Sequence, residues 1–190
     1  MAGALDREDL IEGLRELIKR AHAAGLADVS IRIVGGAAIR LAHFERATTA
    51  DIDAQIKPLD QIVPIAKEIA LERGWPADWL NDKATMFIPH LGATVEWESI
   101  FEDDVISISV APIDALLAMK LRAGRPGRDT EDIRSLLSLN FIKSIDEAES
   151  LFEGFYPGDA LSDRTIELLQ RLFELGLPQA PERQPPIALD

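Results

Sequence analysis

The chain has 190 residues, of which 47% are hydrophobic and 28% charged, a composition that favours a globular fold over a disordered chain. It carries 20 Lys and Arg against 33 Asp and Glu, and the net charge of −13 disfavours a broad basic surface for nucleic acid. The absence of cysteine excludes disulfides, thiolate nucleophiles and cysteine-ligated metals. No apolar run approaches ~18 residues, and the start MAGALDREDL resembles no secretory signal, so we expect a cytoplasmic protein without a membrane span.

Helices and strands are predicted to alternate over the first 111 residues. Apolar spacing of three and four predicts helices, and alternation or β-branched runs predict strands. The predicted helices cover residues 6–24, 37–44 and 60–73, and the predicted strands cover residues 29–34, 50–56, 85–88, 93–100 and 105–110. Residues 75–82 are predicted to be a loop.

Only helices are predicted after Ala111, over residues 112–123, 129–139, 144–154 and 162–176. This order predicts an α/β (α+β) fold, with a mixed sheet flanked by helices and a helical C-terminal part. The expected divisions are an α/β core over residues 1–111, a helical part over 112–176 packed on that core, and a flexible Pro-rich tail over 177–190.

The run Asp51-Ile52-Asp53 lies in the second predicted strand. Residues two apart on a strand face the same side, about 6.6–6.8 Å apart along the chain, so both carboxylates share one side. Paired carboxylates offer the hard oxygen ligands that magnesium binds together with substrate phosphates. The alternative interpretation is a solvated strand face.

A glycine pair, Gly35-Gly36, follows the first predicted strand and precedes a predicted helix. Glycines at such a position let backbone N–H groups approach a phosphate, and the start of a helix adds its positive end. The alternative is a tight turn that requires positive φ. The pattern is neither a Walker loop, which needs Gly-Lys-Ser/Thr, nor the dinucleotide fingerprint, which needs a third glycine.

Taken together, these segments resemble the minimal nucleotidyltransferases of the DNA polymerase β superfamily, and most closely the AbiEii-type enzymes associated with toxin–antitoxin systems. The resemblance is carried by strand, Gly-Gly, helix and RATTADID. It continues in WLND (79–82) and in ISVAPIDALLAMKLRAGRPGRDTEDIRSLL (108–137), and it ends near Tyr156-Pro157 and Arg164-Thr165. The resemblance therefore covers about residues 29–173. It implies nucleotidyl transfer with Mg²⁺ or Mn²⁺ as cofactor and an NTP as substrate.

The resemblance also implies roles for individual residues. Asp51 and Asp53 would bind the metal, and Gly35 and Gly36 would contact the triphosphate. Lys120 would neutralise phosphate charge, although a lysine lying along an amphipathic helix is the alternative. We expect Lys120→Ala to weaken NTP binding without unfolding the chain, because an exposed helical lysine contributes little stability.

Two further positions keep alternatives open. Arg46 would contact phosphate or pair with the aspartates, and Glu96 or Glu98 would supply a third metal carboxylate. Glu96 fits an apolar–acid–apolar strand pattern and is the first choice, whereas many family members carry Gly-Ser where this chain has Gly35-Gly36.

The leading hypothesis is an enzyme that transfers NMP from an NTP to an acceptor hydroxyl. The acceptor would be an RNA end such as that of tRNA, a protein or a small molecule, and the acidic composition favours the last two. A cognate toxin or antitoxin protein is the partner that the resemblance implies. The alternative is a catalytically silent binding module of the same fold, an antitoxin-like partner.

Overall fold

A computed structural model describes residues 5–46, 49–125 and 127–189. It confirms the predicted fold class, because the described residues form seven α-helices and one mixed five-stranded sheet. The chain divides into two compact units. Unit 1 comprises the described residues of Met1–Met86, Trp97–Ala111 and Arg183–Asp190, and unit 2 comprises those of Phe87–Glu96 and Pro112–Glu182.

Unit 1 contains the whole sheet and three helices. The helices are α1 (Arg7–Ala23), α2 (Gly35–Ala38), which continues as a π-helical turn (Ile39–His43), and α3 (Leu59–Arg73). The strands are β1 (Val29–Val34), β2 (Ile52–Lys57), β3 (Leu80–Asn81), β4 (Glu98–Glu102) and β5 (Ile106–Val110). Their order is β3-β2-β1-β5-β4; β1 is antiparallel to β2 and parallel to β5, β2 is parallel to β3, and β4 is antiparallel to β5.

Alternation along the central strands gives the sheet two different sides. On one side, Ile33 and Ile52 are buried completely. On the other side, Arg32 is exposed, and Asp53 and Gln55 are half-buried. We call the latter the carboxylate side. The period of two along a strand therefore places the acidic group of Asp53 opposite the apolar core.

Helix α1 begins at the cap and buries the apolar stripe that its sequence predicts, whereas α2 begins at Gly35, two residues before its predicted start. Asp6 caps α1, since its carboxylate accepts from the Asp9 N–H at 2.9 Å while the Asp9 carboxylate accepts from the Asp6 N–H at 2.9 Å. The apolar stripe of α1 is buried, and α1 packs against α3. Trp79 is also buried completely, and its indole N–H donates to the Ala66 carbonyl at 2.8 Å.

Unit 2 contains four helices and no strand among its described residues. Its helices are α4 (Ile113–Ala123), α5 (Thr130–Leu139), α6 (Ile145–Phe155) and α7 (Asp163–Leu175). Ser144 and Ser162 cap α6 and α7, because their hydroxyls accept from backbone N–H groups three residues on. Helix α4 packs on α5 and α6, and α6 contacts α7. No helix in the described part of the chain is long and apolar enough to cross a bilayer.

Three predicted elements differ from the structure. The segment predicted as a strand over residues 85–88 is instead a 3₁₀ turn, Thr85–Phe87. At its start, the Thr85 N–H donates to the Asp82 carbonyl at 3.1 Å. The predicted strand over 93–100 begins only at Glu98, because the Ala93 N–H donates to the Gly154 carbonyl at 2.7 Å and not to a neighbouring strand. The predicted loop over 75–82 contains β3.

The described end of the chain packs on unit 1, although a flexible tail is predicted there. The Gln184 N–H donates to the His43 carbonyl at 2.9 Å. Arg15 donates to the Ala188 carbonyl at 2.8 Å, and Leu189 is buried. Proline has no N–H to donate, but the Pro185 and Ala188 carbonyls in this segment accept from arginine side chains.

Candidate functional site

The glycine pair and the carboxylates adjoin one another in unit 1. Strand β1 ends at Val34, which pairs with Asp53 of β2. Gly35 then turns the chain with a φ of +66°, a conformation that side chains other than glycine rarely adopt. A Cβ atom at Gly35 would lie 3.7 Å from the Asp53 Oδ2 atom. A side chain at Gly35 would therefore begin in van der Waals contact with the Asp53 carboxylate, and glycine leaves that space unfilled.

The two aspartates face the same side of the sheet. Asp53 is the second residue of β2 and pairs with Asn81 of β3, while Asp51 lies just before β2. The Asn81 Nδ2 donates to the Asp51 Oδ2 at 3.0 Å, and this bond holds Asp51 on the side that Asp53 and Asn81 share. Both aspartates are half-buried. The predicted pairing of these carboxylates on one strand side agrees with this geometry.

Arg46 lies against the second glycine. A Cβ atom at Gly36 would be 2.9 Å from the Arg46 Nη1 and 3.3 Å from the Thr49 Oγ1. The Thr49 hydroxyl donates to the Asp51 carbonyl at 3.1 Å, and this bond holds the residues just before β2 in place. A Cβ atom at Gly36 would displace the guanidinium, which is the mobile end of a long side chain, so the glycine leaves room for Arg46 beside the turn. Both predicted glycines, Arg46 and both aspartates thus meet in unit 1.

Two residues of this site, Asn81 and Lys83, are absent from the sequence-based set. Asn81 is buried, and its amide also donates to the Asp78 carbonyl at 3.1 Å. The Asn81 Oδ1 accepts from the Lys83 N–H at 3.0 Å. Asn81 lies in the WLND segment that carries part of the resemblance, but that segment does not reveal that β3 pairs with β2.

The strand that made Glu96 the first choice for a third metal carboxylate does not extend to this residue, which belongs to unit 2, so the metal role of Glu96 stays a prediction. Glu96 is exposed and lies before β4, outside the strand on which we expected it. The competing choice, Glu98, pairs across the sheet with Val110, and that row continues through Ile33 to Ala54, the neighbour of Asp53. Adjacent residues of a strand face opposite sides, so Glu98 is on the side away from Asp53, where it forms an ion pair with Arg183.

Lys120 is a buried residue of unit 2 and is not the exposed helical lysine that we expected. It is 8% exposed, and its Nζ lies 2.5 Å from the Asp129 Oδ1 and 2.8 Å from the Asp132 Oδ2. Arg125 adds a weaker contact, with its Nε 3.8 Å from the Asp129 Oδ2. The arrangement is that of a structural ion pair joining α4 to the start of α5, and a phosphate-neutralising role for Lys120 stays a prediction.

The donor set at the carboxylate pair, Asp51 and Asp53, suits a hard divalent cation in part. Two carboxylates on one side provide the oxygen ligands that Mg²⁺ or Mn²⁺ prefers, and Mg²⁺ commonly completes its shell with water and substrate phosphate. Among residues 5–46, 49–125 and 127–189, no cluster of three or more acidic or histidine side chains is placed to hold a metal. The site therefore offers two protein carboxylates beside the glycine turn and the Arg46 guanidinium.

The chain was compared with protein-family models, curated proteins and solved structures. No family model matches the chain, and no curated protein or solved structure matches it either.

Proposed function

We propose that unit 1 binds an NTP with a divalent cation and transfers its NMP to an acceptor hydroxyl. The observation that carries this proposal is the 3.7 Å separation between the Cβ position of Gly35 and the Asp53 Oδ2. A phosphate chain at the glycine turn would lie beside the carboxylates, so that one ligand could contact both. A glycine turn far from the carboxylates would have offered no such joint site.

The residues present would divide the chemistry between them. Asp51 and Asp53 would hold the cation, which when bound supplies charge stabilisation at the α-phosphate. Backbone N–H groups at Gly35 and Gly36, with the Arg46 guanidinium, would orient the triphosphate. The acceptor oxygen would form a bond to the α-phosphorus, the bond from that phosphorus to the bridging oxygen would break, and pyrophosphate would leave with the electron pair. The proton of the acceptor hydroxyl would pass to solvent.

The acceptor and the cellular setting follow from composition and resemblance. The net charge of −13 favours a protein or small-molecule acceptor over RNA, although a short RNA end requires few basic contacts. On the AbiEii-type resemblance we propose that the activity belongs to a toxin–antitoxin system, with a cognate toxin or antitoxin as partner. We propose a cytoplasmic location, where NTPs and Mg²⁺ are both available.

The test is the thermal stability of the chain with Mg²⁺ and each NTP, compared with Asp53→Asn. A ligand that binds only the folded state at about 100 times its Kd stabilises by about 2.7 kcal/mol, which raises Tm by about 5–10 °C in a protein of this size. We expect Asp53→Asn to remove this shift and Asp82→Asn, at an exposed acid nearby, to retain it. Transfer of label from the NTP to total tRNA or total protein then identifies the acceptor.

A catalytically silent binding module is the second candidate, and one observation favours it. Glu98 faces away from Asp53, and among the described residues no third acidic or histidine side chain is grouped with the carboxylate pair, so a second cation would lack the protein ligands that two-metal catalysis uses. This candidate predicts a Tm shift with Mg²⁺ and NTP but no labelled product with any acceptor. The enzyme hypothesis predicts both the shift and a product that depends on Asp53.

A further inference from the structure

The segment from Asp78 to Lys83 is hydrogen-bonded directly to the carboxylate pair, through Asn81. The Asn81 Nδ2 donates to the Asp51 Oδ2 at 3.0 Å and to the Asp78 carbonyl oxygen at 3.1 Å, and the Asn81 Oδ1 accepts from the Lys83 N–H at 3.0 Å. Asn81 also pairs with Asp53 through the β2–β3 ladder. All of the hydrogen-bonding groups named here serve to fix this segment beside the two aspartates.

Lys83 brings a positive charge to the same place. Its backbone is two residues beyond Asn81, and its ammonium group forms an ion pair with Asp78. The pKa of Lys83 is raised, mainly by the hydrogen bond to Asp78 and further by the attraction of Asp78, Asp51 and Asp53. The side chain is 62% exposed and that of Asp78 is 57% exposed, so their ion pair is weak and easily exchanged in water.

We propose that Lys83 binds the β- or γ-phosphate of the nucleotide whose cation is held by the carboxylate pair. The inference rests on the proposed function, and it names a residue that the family resemblance does not supply. Two carboxylates would repel a polyphosphate, and an exposed ammonium two residues from Asn81 offsets that repulsion. Asp78 holds Lys83 near the site until a phosphate replaces it as the stronger, more highly charged acceptor.

Lys83 suits this role better than Lys120 because its partner can be displaced. Lys120 is held at 2.5 Å and 2.8 Å by two carboxylates that are themselves buried, and removing it from them would leave two uncompensated charges. Lys83 has an exposed partner whose carboxylate becomes solvated when the lysine moves to a phosphate.

The experiment measures two affinities by calorimetry, that of Mn²⁺ alone and that of Mg²⁺–tripolyphosphate, a probe that does not depend on the base. For Lys83→Met we expect tripolyphosphate binding to weaken about tenfold or more, as for the loss of a charge-assisted hydrogen bond. Mn²⁺ alone is expected to bind the same variant about twofold to threefold more tightly, because a cation that competes for Asp51 and Asp53 has been removed. Opposite changes for the two probes are the signature of Lys83 binding phosphate.

Three variants provide the controls. Lys57→Met removes an exposed lysine from the same strand side, four residues beyond Asp53, and should alter both affinities less than about twofold. Asp78→Asn releases Lys83 and should tighten tripolyphosphate binding, whereas Asp82→Asn, which removes an equal charge from a neighbouring exposed residue, should tighten it less. Melting curves check that each variant is folded.

The outcomes separate this inference from the proposed function. If wild-type protein binds neither probe, the proposed function fails and the inference fails with it. If wild-type protein binds both, Asp53→Asn abolishes binding and Lys83→Met binds tripolyphosphate as well as wild type does, the proposed function stands and the role of Lys83 is overturned. Equal weakening of both probes in Lys83→Met also overturns it, because that result would indicate a damaged site.

Discussion

Lys120 is held by two carboxylates in a part of unit 2 that solvent scarcely reaches. Asp129 is 2% exposed and Asp132 is 5% exposed, so the three charges of this cluster depend on one another for compensation. Removing one member of a buried ion pair is costly, since the remaining charges stay out of water without a partner.

Lys120→Met is therefore expected to destabilise the chain by about 3–5 kcal/mol, as is typical when one partner of a buried ion pair is removed. This expectation replaces the sequence-based one, which assumed an exposed lysine. Urea unfolding of the variant measures the effect, with Lys19→Met, at a side chain that is 79% exposed, as the matched control. A loss below about 1 kcal/mol would show that the cluster is hydrated and weakly coupled.

His43 connects stability to pH in unit 1. Burial lowers the pKa of His43, while its hydrogen bond to the Ala111 carbonyl at 2.8 Å and the charge of Glu98 oppose that change and Arg183 adds to it. In the unfolded chain the same imidazole has a pKa of about 6.5. Below that pH the unfolded state takes up a proton that the folded state does not, so stability falls as the pH decreases.

We expect His43→Gln to weaken this pH dependence, because glutamine can donate to the Ala111 carbonyl without titrating. The free energy of unfolding of wild type should decrease between about pH 6.5 and about pH 5.5, and the decrease should be smaller in His43→Gln. His90→Gln, at an exposed histidine, should follow wild type. Parallel curves for wild type and His43→Gln would contradict a lowered pKa at this position.

At the scale of elements, α1 depends on a glycine for its packing. A Cβ atom at Gly13 would lie 2.7 Å from two ring carbons of Trp79 and 3.0 Å from one of Trp75. Trp79 is buried completely and its indole is hydrogen-bonded, so it has little room to move. Gly13 thus allows α1 to approach the segment that leads into β3.

Gly13→Ala is expected to destabilise the chain even though alanine is the better helix former. The gain in helix propensity is up to about 1 kcal/mol, and the overpacking costs about 1–3 kcal/mol. Gly154→Ala in α6 is the matched control, since a Cβ there meets nothing within 4 Å and should stabilise by up to about 1 kcal/mol. Denaturant midpoints compare the two, and equal stabilisation by both would contradict a tight contact at Trp79.

The sequence predicts those elements whose signals are local. Caps at Asp6, Ser144 and Ser162 and alternation through Asp51-Ile52-Asp53 are readable because each depends on residues within a few positions. Strand β3 has two residues, and its place depends on the Ile52 N–H donating to the distant Trp79 carbonyl. Lys120 forms ion pairs with Asp129 and Asp132, which lie nine and twelve residues away, beyond the turn that follows α4. The apolar period of α4 alone therefore does not predict that Lys120 is buried.

For the whole molecule, the net charge of −13 creates repulsion that salt should relieve. We expect Tm to rise by a few degrees between about 0.02 M and about 0.2 M NaCl, as the Debye length shortens and the excess negative charges are screened. A falling Tm would mean that the surface ion pairs contribute more than the overall repulsion. Every Mg²⁺ titration consequently needs a control of equal ionic strength.

The position of residues 183–189 on unit 1 has a consequence for how the chain is made. Arg7 donates to the Pro185 carbonyl at 2.6 Å, and Arg15 donates to the Ala188 carbonyl at 2.8 Å. These two arginines of α1 can form their hydrogen bonds only after the ribosome has added about 170 further residues. Residues 112–182 emerge in between. Although unit 1 begins first, the newly synthesised chain must therefore acquire the complete set of unit 2 residues before unit 1 can make its last contacts.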